Sequence, residues 1–340
     1  MKHFDTIMPA EWHRQKAVQL TWPHKGSDWD YLIDEVEICF VKIAKEVATR
    51  QHLFIVTLEE SRLEKFFSNE ELANIRFFQI DSNDTWARDH GGITIFENEK
   101  HILLDFTFNG WGMKFAAGLD NLITRNLHQQ NAFLGFEYRN MGHFVLEGGS
   151  IESDGQGTIL TTTECLLSVN RNEFLSKPEI ENRLKEYLGA KRVLWLNSGY
   201  LAGDDTDSHI DTLARFCSVD TIAYVKCTDC NDEHFEALLA METELKDFKQ
   251  LSGEAYRLIA LPMASATFDP DDGHRLPATY ANFLIINGAV LFPVYNCETD
   301  PAAIEAIKTA FPNLAIVPID CSVLIRQHGS LHCVTMQYPE

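Results

Sequence analysis

The sequence predicts an α/β fold of about five similar units, and three observations lead there. Short runs of β-branched and aromatic residues alternate with amphipathic helical stretches, the alternation recurs about every 50 residues, and no Pro/Gly/Ser-rich linker or low-complexity stretch interrupts it. The first unit is a strand at 18–23 and a helix within 28–51, where Ile33, Val36, Phe40, Ile43 and Val47 share one face. Strands at 75–81, 92–96 and 102–108 and a helix near 120–128 make the second. The third runs from 144–163 into a helix at 171–188. A strand at 192–197, a hairpin of 210–216 with 221–227 and a helix at 232–251 form the fourth. The fifth has a strand at 256–263, a hairpin of 281–286 with 289–295 and a helix at 301–311. Strands at 315–320 and 331–337 are left over and could return to close the first unit. Closure would remove exposed sheet edges, as propellers do. An ordinary open α/β sheet gives the same alternation, so pattern alone leaves both architectures standing.

Composition narrows the function classes. The 340 residues are 45% hydrophobic and 11% aromatic, ample for a core, and carry a net charge of −21. Such a field argues against nucleic acid or an anionic membrane as partner and would draw in a cationic ligand. The first nine residues hold no apolar leader, and no apolar run approaches the roughly 18 residues of a membrane helix. Eight scattered cysteines without a leader read as thiols, which places the chain in the cytoplasm.

Four segments concentrate polar residues where strands would be apolar: 84–92, 146–150, 203–211 and 329–333, each with glycine beside a polar or acidic side chain. Glycine there suggests turns that bring backbone close to a ligand. His209 and Asp211 sit two apart at the start of a predicted strand, so one face would carry an imidazole that moves protons and a carboxylate that fixes charge. A surface acid cluster reads the same way. A metal site is the other rival, with His209, Asp211 and Asp207 as ligands or Cys227 and Cys230 near His234 holding zinc. The sequence supplies no second Cys-x-x-Cys and no His-Glu-x-x-His. Cys333 follows Gly329 and His332, where an exposed turn could present sulfur to a pocket; as a nucleophile it needs a lowered pKa or a proton acceptor. On a strand, Trp86 and Arg88 would face one way and Asp89 the other, with Trp86 suited to a cation–π contact.

Taken together and in this order, several motifs resemble the agmatine deiminase and Porphyromonas-type peptidylarginine deiminase family from end to end. They are Pro9-Ala-Glu-Trp12, Thr21-Trp-Pro-His24, Trp86-Ala-Arg-Asp89, Phe108-Asn-Gly-Trp-Gly112, Leu146-Glu-Gly-Gly149, Asn170-Arg-Asn172, Asp205-Thr-Asp-Ser-His-Ile-Asp211 and His332-Cys-Val-Thr-Met-Gln337. The resemblance implies a five-bladed, pseudo-symmetric α/β propeller of ββαβ-type units, one catalytic domain over 1–340 with its active site in a central channel. It implies Cys333 as nucleophile, His209 as general acid and base, Asp89 and Asp211 as guanidinium-binding carboxylates, and Glu147 as the acid near the histidine and substrate. No metal and no cofactor are implied, a homo-oligomer is left open, and the partner is a small guanidinium cation. One departure lies in the tail, Arg326-Gln-His-Gly-Ser-Leu-His-Cys333, where the family usually carries a run of glycines.

The implied reaction is hydrolysis of agmatine to N-carbamoylputrescine and ammonia through a covalent thiouronium. Asp204, Asp205, Asp207 and Trp86 are placed to receive the terminal ammonium of agmatine. Free arginine would call for a cation at its α-carboxylate, and Arg88 or Arg326 reads that way; a peptidyl substrate would suit an exported enzyme. An amidinotransferase, or a non-catalytic polyamine-binding protein, stands further off.

Overall fold

The computed structural model describes residues 6–340, so the leader reading of the first nine residues falls partly outside them. The strands form five separate sheets of three or four strands. One continuous open sheet, the plainer expectation, is not what the chain forms.

All five sheets repeat one pattern. In the sheet of Ala214–Ser218, Thr221–Lys226 and Arg257–Pro262, the first pair is antiparallel and the second parallel, with the helix Phe235–Asp247 as crossover. The sheets built on Ile151–Ser153, Thr158–Thr162 and Arg192–Leu196, and on Leu284–Ile286, Ala289–Val294 and Ala315–Asp320, have the same order. Lys100–Thr107 likewise lies between antiparallel Ile93–Glu97 and parallel Glu137–Val145, and Thr6–Ile7 adds an edge strand. In the last sheet Thr335–Pro339 returns to pair antiparallel with Gln15–Thr21, which runs parallel to His52–Val56 and then Ile75–Phe78. The two ends of the chain therefore share a sheet, closed by the second left-over strand alone, since Ala315–Asp320 stays in the fifth unit beside Ala289–Val294. A tight hairpin supports the antiparallel pair, while the parallel strand needs a long crossover, which the helices supply.

Local chemistry sets the helices. Ile33–Ala48 buries Val36, Phe40, Ile43 and Val47 along one stripe, as the 3.6-residue period requires. Lys177–Leu188 starts where the Glu179 carboxylate accepts the Ser176 backbone N–H at 2.8 Å, and it ends at Gly189, whose φ of 69° is the left-handed cap. No helix among the described residues is long and apolar enough to cross a membrane.

Three expectations need correction. His52–Val56 is a strand in a stretch to which the sequence reading assigned no element. The stretch 84–90 is not extended: Ala87–His90 is a helical turn in which Asp89 N–H donates to Trp86 carbonyl at 3.0 Å. Nor does a strand begin at Ile210; Ile210–Thr212 is a 3₁₀ turn, closed by the Thr212 hydroxyl on the His209 carbonyl at 2.8 Å, and the strand starts at Ala214. Hydroxyls that bond nearby backbone compete with a ladder in this way.

Candidate active site

From Gln15–Thr21 onward the chain passes from one sheet to the next five times, and each passage delivers a polar side chain to one place. Asp89 lies between Ile75–Phe78 and Ile93–Glu97, and Glu147 between Glu137–Val145 and Ile151–Ser153. His209 and Asp211 precede Ala214–Ser218, Asn282 precedes Leu284–Ile286, and Cys333 precedes Thr335–Pro339. Gly149 marks the meeting point: a Cβ there would lie 2.6 Å from His209 Nδ1, 2.9 Å from Asp89 Oδ1 and 3.1 Å from Asp211 Oδ2. Its φ is ordinary, so glycine is required by space. Gly329 is a second case, since a Cβ would meet the Trp86 ring at 2.1 Å. The glycines bring backbone against the site's own side chains.

Cys333 is 4% exposed. Its sulfur lies 3.4 Å from Asn282 Oδ1 and 4.0 Å from Asp211 Oδ2. Burial, and then the charges of Asp211 and Asp89, push the thiol well above its ordinary range. Asp89 is held by the Trp111 indole N–H at 2.9 Å and the Gly149 N–H at 3.0 Å. Burial, with Asp211 and Glu147 nearby, raises it to about 6 although His209 acts the other way. Asp211 is lowered despite complete burial because His332 Nδ1 lies 2.7 Å from its Oδ2.

His209 stands between carboxylates, Nδ1 3.6 Å from Asp89 and Nε2 3.9 Å from Glu147. Burial opposes its protonation, but Asp89, Cys165 and Glu147 outweigh burial and raise its pKa well above 6.5. Neither ring nitrogen, nor Asp211 Oδ1, has a hydrogen-bond partner among the described residues. Buried polar atoms are ordinarily satisfied, so these orphans on His209 and Asp211, which meet Asp89 around Gly149, leave hydrogen-bonding capacity for a polar ligand.

Asp89 and Cys333 also line a cleft with about 440 Å³ of atom-free volume, its mouth included, together with Trp86 and Trp111. Asp28, Asp84 and Asp205 stand around it, and its described lining contains no arginine or lysine. Burial, aided by Asp28, raises Asp84 to about 6.

The structure thus brings Cys333, His209, Asp89, Asp211 and Glu147 together, and it places Trp86 and Asp205 on the cleft. The other proposed ligand-binding residues are engaged elsewhere. Arg88 is 3% exposed and points away from the cleft toward Glu11 at 3.8 Å, because the helical turn puts Trp86 and Asp89 on one side and Arg88 on another. Asp207 pairs with Lys114 at 2.7 Å and Arg171 at 2.6 Å. Asp204 shapes its own loop, accepting the Thr206 and Ser208 N–H groups at 3.2 and 2.7 Å. Arg326 faces Asp271 at 3.2 Å.

Sequence reasoning missed four contributors. Arg171 grips both Glu147 oxygens at 3.0 and 2.9 Å with a fully buried side chain, and Trp111 holds Asp89; both lay inside quoted motifs without an assigned role. Asn282, inside an unremarkable Tyr-Ala-Asn-Phe run, gave no signal. Glu11, inside the quoted Pro9-Ala-Glu-Trp12 motif, likewise had no assigned role, and its Oε2 lies 2.7 Å from His332 Nε2.

Among the described residues, the acid, thiol and imidazole groups close enough to share an ion are Glu147, Cys165 and His209; Glu11, Glu152 and His332; and Asp269, Asp272 and His274. In the first two, the carboxylates already hold Arg171 or Arg215, which an ion would have to displace. Cys227 instead contacts the Asp229 carbonyl at 3.6 Å, and Cys230 is exposed.

The chain resembles known proteins along nearly its whole length. The family described as Porphyromonas-type peptidyl-arginine deiminase matches residues 7–339. A solved structure from Porphyromonas gingivalis, provisionally named an arginine deiminase, is 51% identical over 98% of each chain with a TM-score of 0.93. A C. jejuni agmatine deiminase, a cysteine-to-serine variant with substrate bound, is 38% identical over 100% of this chain and 98% of that one, with a TM-score of 0.92. A Legionella pneumophila protein, provisionally named an agmatine deiminase, is 32% identical over 100% of this chain and 96% of its own.

Proposed function

Because the chain belongs to the Porphyromonas-type peptidyl-arginine deiminase family, we propose that it hydrolyses the guanidinium group of agmatine, releasing ammonia and N-carbamoylputrescine. One observation carries this reading: Cys333 and Asp89 line a cleft whose wall holds carboxylates and no arginine or lysine, and beside them Asp211 and His209 keep Oδ1 and both ring nitrogens without a partner among the described residues. Asp89 and Asp211 accept the N–H groups of the planar cation by charge-assisted bonds. Its arrival neutralises the two charges that keep Cys333 protonated, and the thiol proton leaves to solvent. The thiolate adds to the guanidinium carbon. Imidazolium His209 then protonates one amino group, which departs as ammonia and leaves a thiouronium on sulfur. Water attacks that carbon while His209 takes one of its protons, the C–S bond breaks, and the second proton ends on ammonia. Each step uses groups already in place, with no metal or cofactor.

The mouth selects the tail. A terminal ammonium meets Asp28, Asp84 and Asp205, whereas an α-carboxylate would meet the same acids with no lysine or arginine to answer it. The 51% identity to a protein provisionally named an arginine deiminase favours a second reading, deimination of free or peptidyl arginine. Ammonia release from purified protein offered agmatine, free arginine and an arginyl peptide separates them; turnover of arginine alone would reject the first.

We also read the five sheets as blades of a single propeller domain with the site at its centre, supported by the shared strand pattern and the five converging connections. A cytoplasmic setting is supported by the eight unpaired cysteines.

A further inference from the structure

Asp211 is held by a row of three side chains that spans almost the whole sequence. His332 Nδ1 lies 2.7 Å from Asp211 Oδ2, and His332 Nε2 lies 2.7 Å from Glu11 Oε2, across 321 residues of chain. All three are nearly or fully buried. Both contacts need a proton, and a neutral imidazole carries only one. The row therefore holds either an imidazolium between two carboxylates or an imidazole beside one protonated carboxyl. Glu11 is anchored in turn, by the Ile285 N–H at 2.7 Å and by Arg215 at 2.7 Å. The consequence falls on the far oxygen of Asp211. With Oδ2 occupied, Oδ1 has no partner among the described residues, so the carboxylate has one orientation and one free acceptor.

We propose that Glu11 and His332 are positioning residues that fix Asp211 so that Oδ1 faces the guanidinium plane. Neither contacts the substrate in this account; they act through Asp211. His332 also precedes Cys333, and both backbone N–H groups end on Asn282 Oδ1, so one short segment aligns nucleophile and clamp together. The proposal rests on the guanidinium reading of the site but concerns how one clamp is set.

The test uses two reagents for the Cys333 thiol: a haloacetamidine, which presents a planar cation like the substrate's, and iodoacetamide, which is neutral. The wild type should prefer the amidine, judged by the ratio of inactivation rates. His332→Gln keeps an amide near the Nε2 position and loses the Asp211 contact, so its preference should fall at least about tenfold. His332→Asn places an amide near the Nδ1 position and should recover most of it. Glu11→Gln should shift the ratio as His332→Gln does, to a smaller degree. Thermal melts establish that each variant is folded. Parallel loss with both reagents, or an unchanged ratio in His332→Gln, overturns the positioning role while leaving the guanidinium site intact. No amidine preference in the wild type overturns both.

Discussion

Asn282 Oδ1 lies 3.4 Å from the Cys333 sulfur while accepting the backbone N–H groups of His332 and Cys333 at 2.9 and 3.3 Å. One oxygen thus fixes the segment that carries the nucleophile. Its neutrality matters, because Asp211 and Asp89 already burden the thiolate. Asn282→Asp keeps the shape and adds a third negative charge, so ammonia release should fall at least about tenfold at neutral pH. The pH at which Cys333 is alkylated should rise as well. Unaltered alkylation would leave this oxygen with a purely structural role.

Two cysteines stand within the site, and only one is placed to attack. Cys165 lies behind His209, fully buried and off the cleft, whereas Cys333 lines it. Cys333→Ser should therefore abolish turnover and any mass adduct formed with substrate, since a serine hydroxyl has no accessible anion here. Cys165→Ala should keep both within a few-fold. An adduct that persists in Cys333→Ser would move the nucleophile elsewhere.

Acid should weaken substrate binding through Asp89. Burial, with Asp211 and Glu147 nearby, raises its carboxyl to about 6. The clamp works as an anion, so affinity is present above that pH and lost as pH falls through it. His209 is shifted away from releasing its proton, since Asp89, Cys165 and Glu147 outweigh burial and raise it well above its ordinary value. Titrating agmatine binding to Cys333→Ser from pH 7.5 to 5 should show affinity dropping below about 6. A flat profile would mean that Asp89 keeps its charge.

Much of this arrangement was legible in the sequence because the family-like motifs are short, ordered and rich in chemistry. Cys333, His209, Asp89, Asp211 and Glu147 do meet, though for reasons the local reading did not contain. His209 and Asp211 share a site through a 3₁₀ turn, where strand alternation had been expected to align them. Arg88 illustrates the opposite failure, since a charged residue beside a catalytic motif looks like a ligand contact until the turn sends it toward Glu11. Asp154, in the run Ser153-Asp-Gly155, reads from sequence alone as a solvent-facing turn residue. It is 3% exposed, and its Oδ1 accepts the Gln156 and Thr158 N–H groups at 2.7 and 2.8 Å. It is therefore unfit as an exposed control, for which Asp247 serves. Asn282 gave no signal and Glu11 stood in a quoted motif without a role, because their partners lie 50 and 321 residues away, which no local pattern encodes.

Arg171 should matter more to stability than its absence from the cleft suggests. It neutralises buried Glu147 and also donates to the Thr206 carbonyl at 2.9 Å. Arg171→Met strands an uncompensated carboxylate and should cost about 3–5 kcal/mol in urea unfolding. Adding Glu147→Gln should return part of that loss, because the two side chains are directly coupled. Equal losses in single and double variants would deny the coupling.

The acids at the mouth should govern which guanidinium compound is accepted, and those at the base whether any is. Asp28 is exposed, while Asp84 is more enclosed and receives indole N–H groups from Trp29 and Trp86 at 3.0 and 3.1 Å. Asp28→Asn removes an exposed charge, so KM for agmatine should rise about two- to fivefold with kcat unchanged. Asp84→Asn should act in the same direction and more strongly, since its charge is less screened. Free arginine presents a carboxylate at the same place, so its KM should fall or stay level in both variants. Asp211→Asn removes a clamp and should cost about 1.5–3 kcal/mol of binding for every guanidinium compound alike. Asp247→Asn, on the exposed end of the helix Phe235–Asp247, should change neither. The decisive quantity is the agmatine-to-arginine ratio of kcat/KM. If it moves with Asp211→Asn and not with Asp28→Asn or Asp84→Asn, the mouth does not select the tail, and recognition must reside at the base of the cleft.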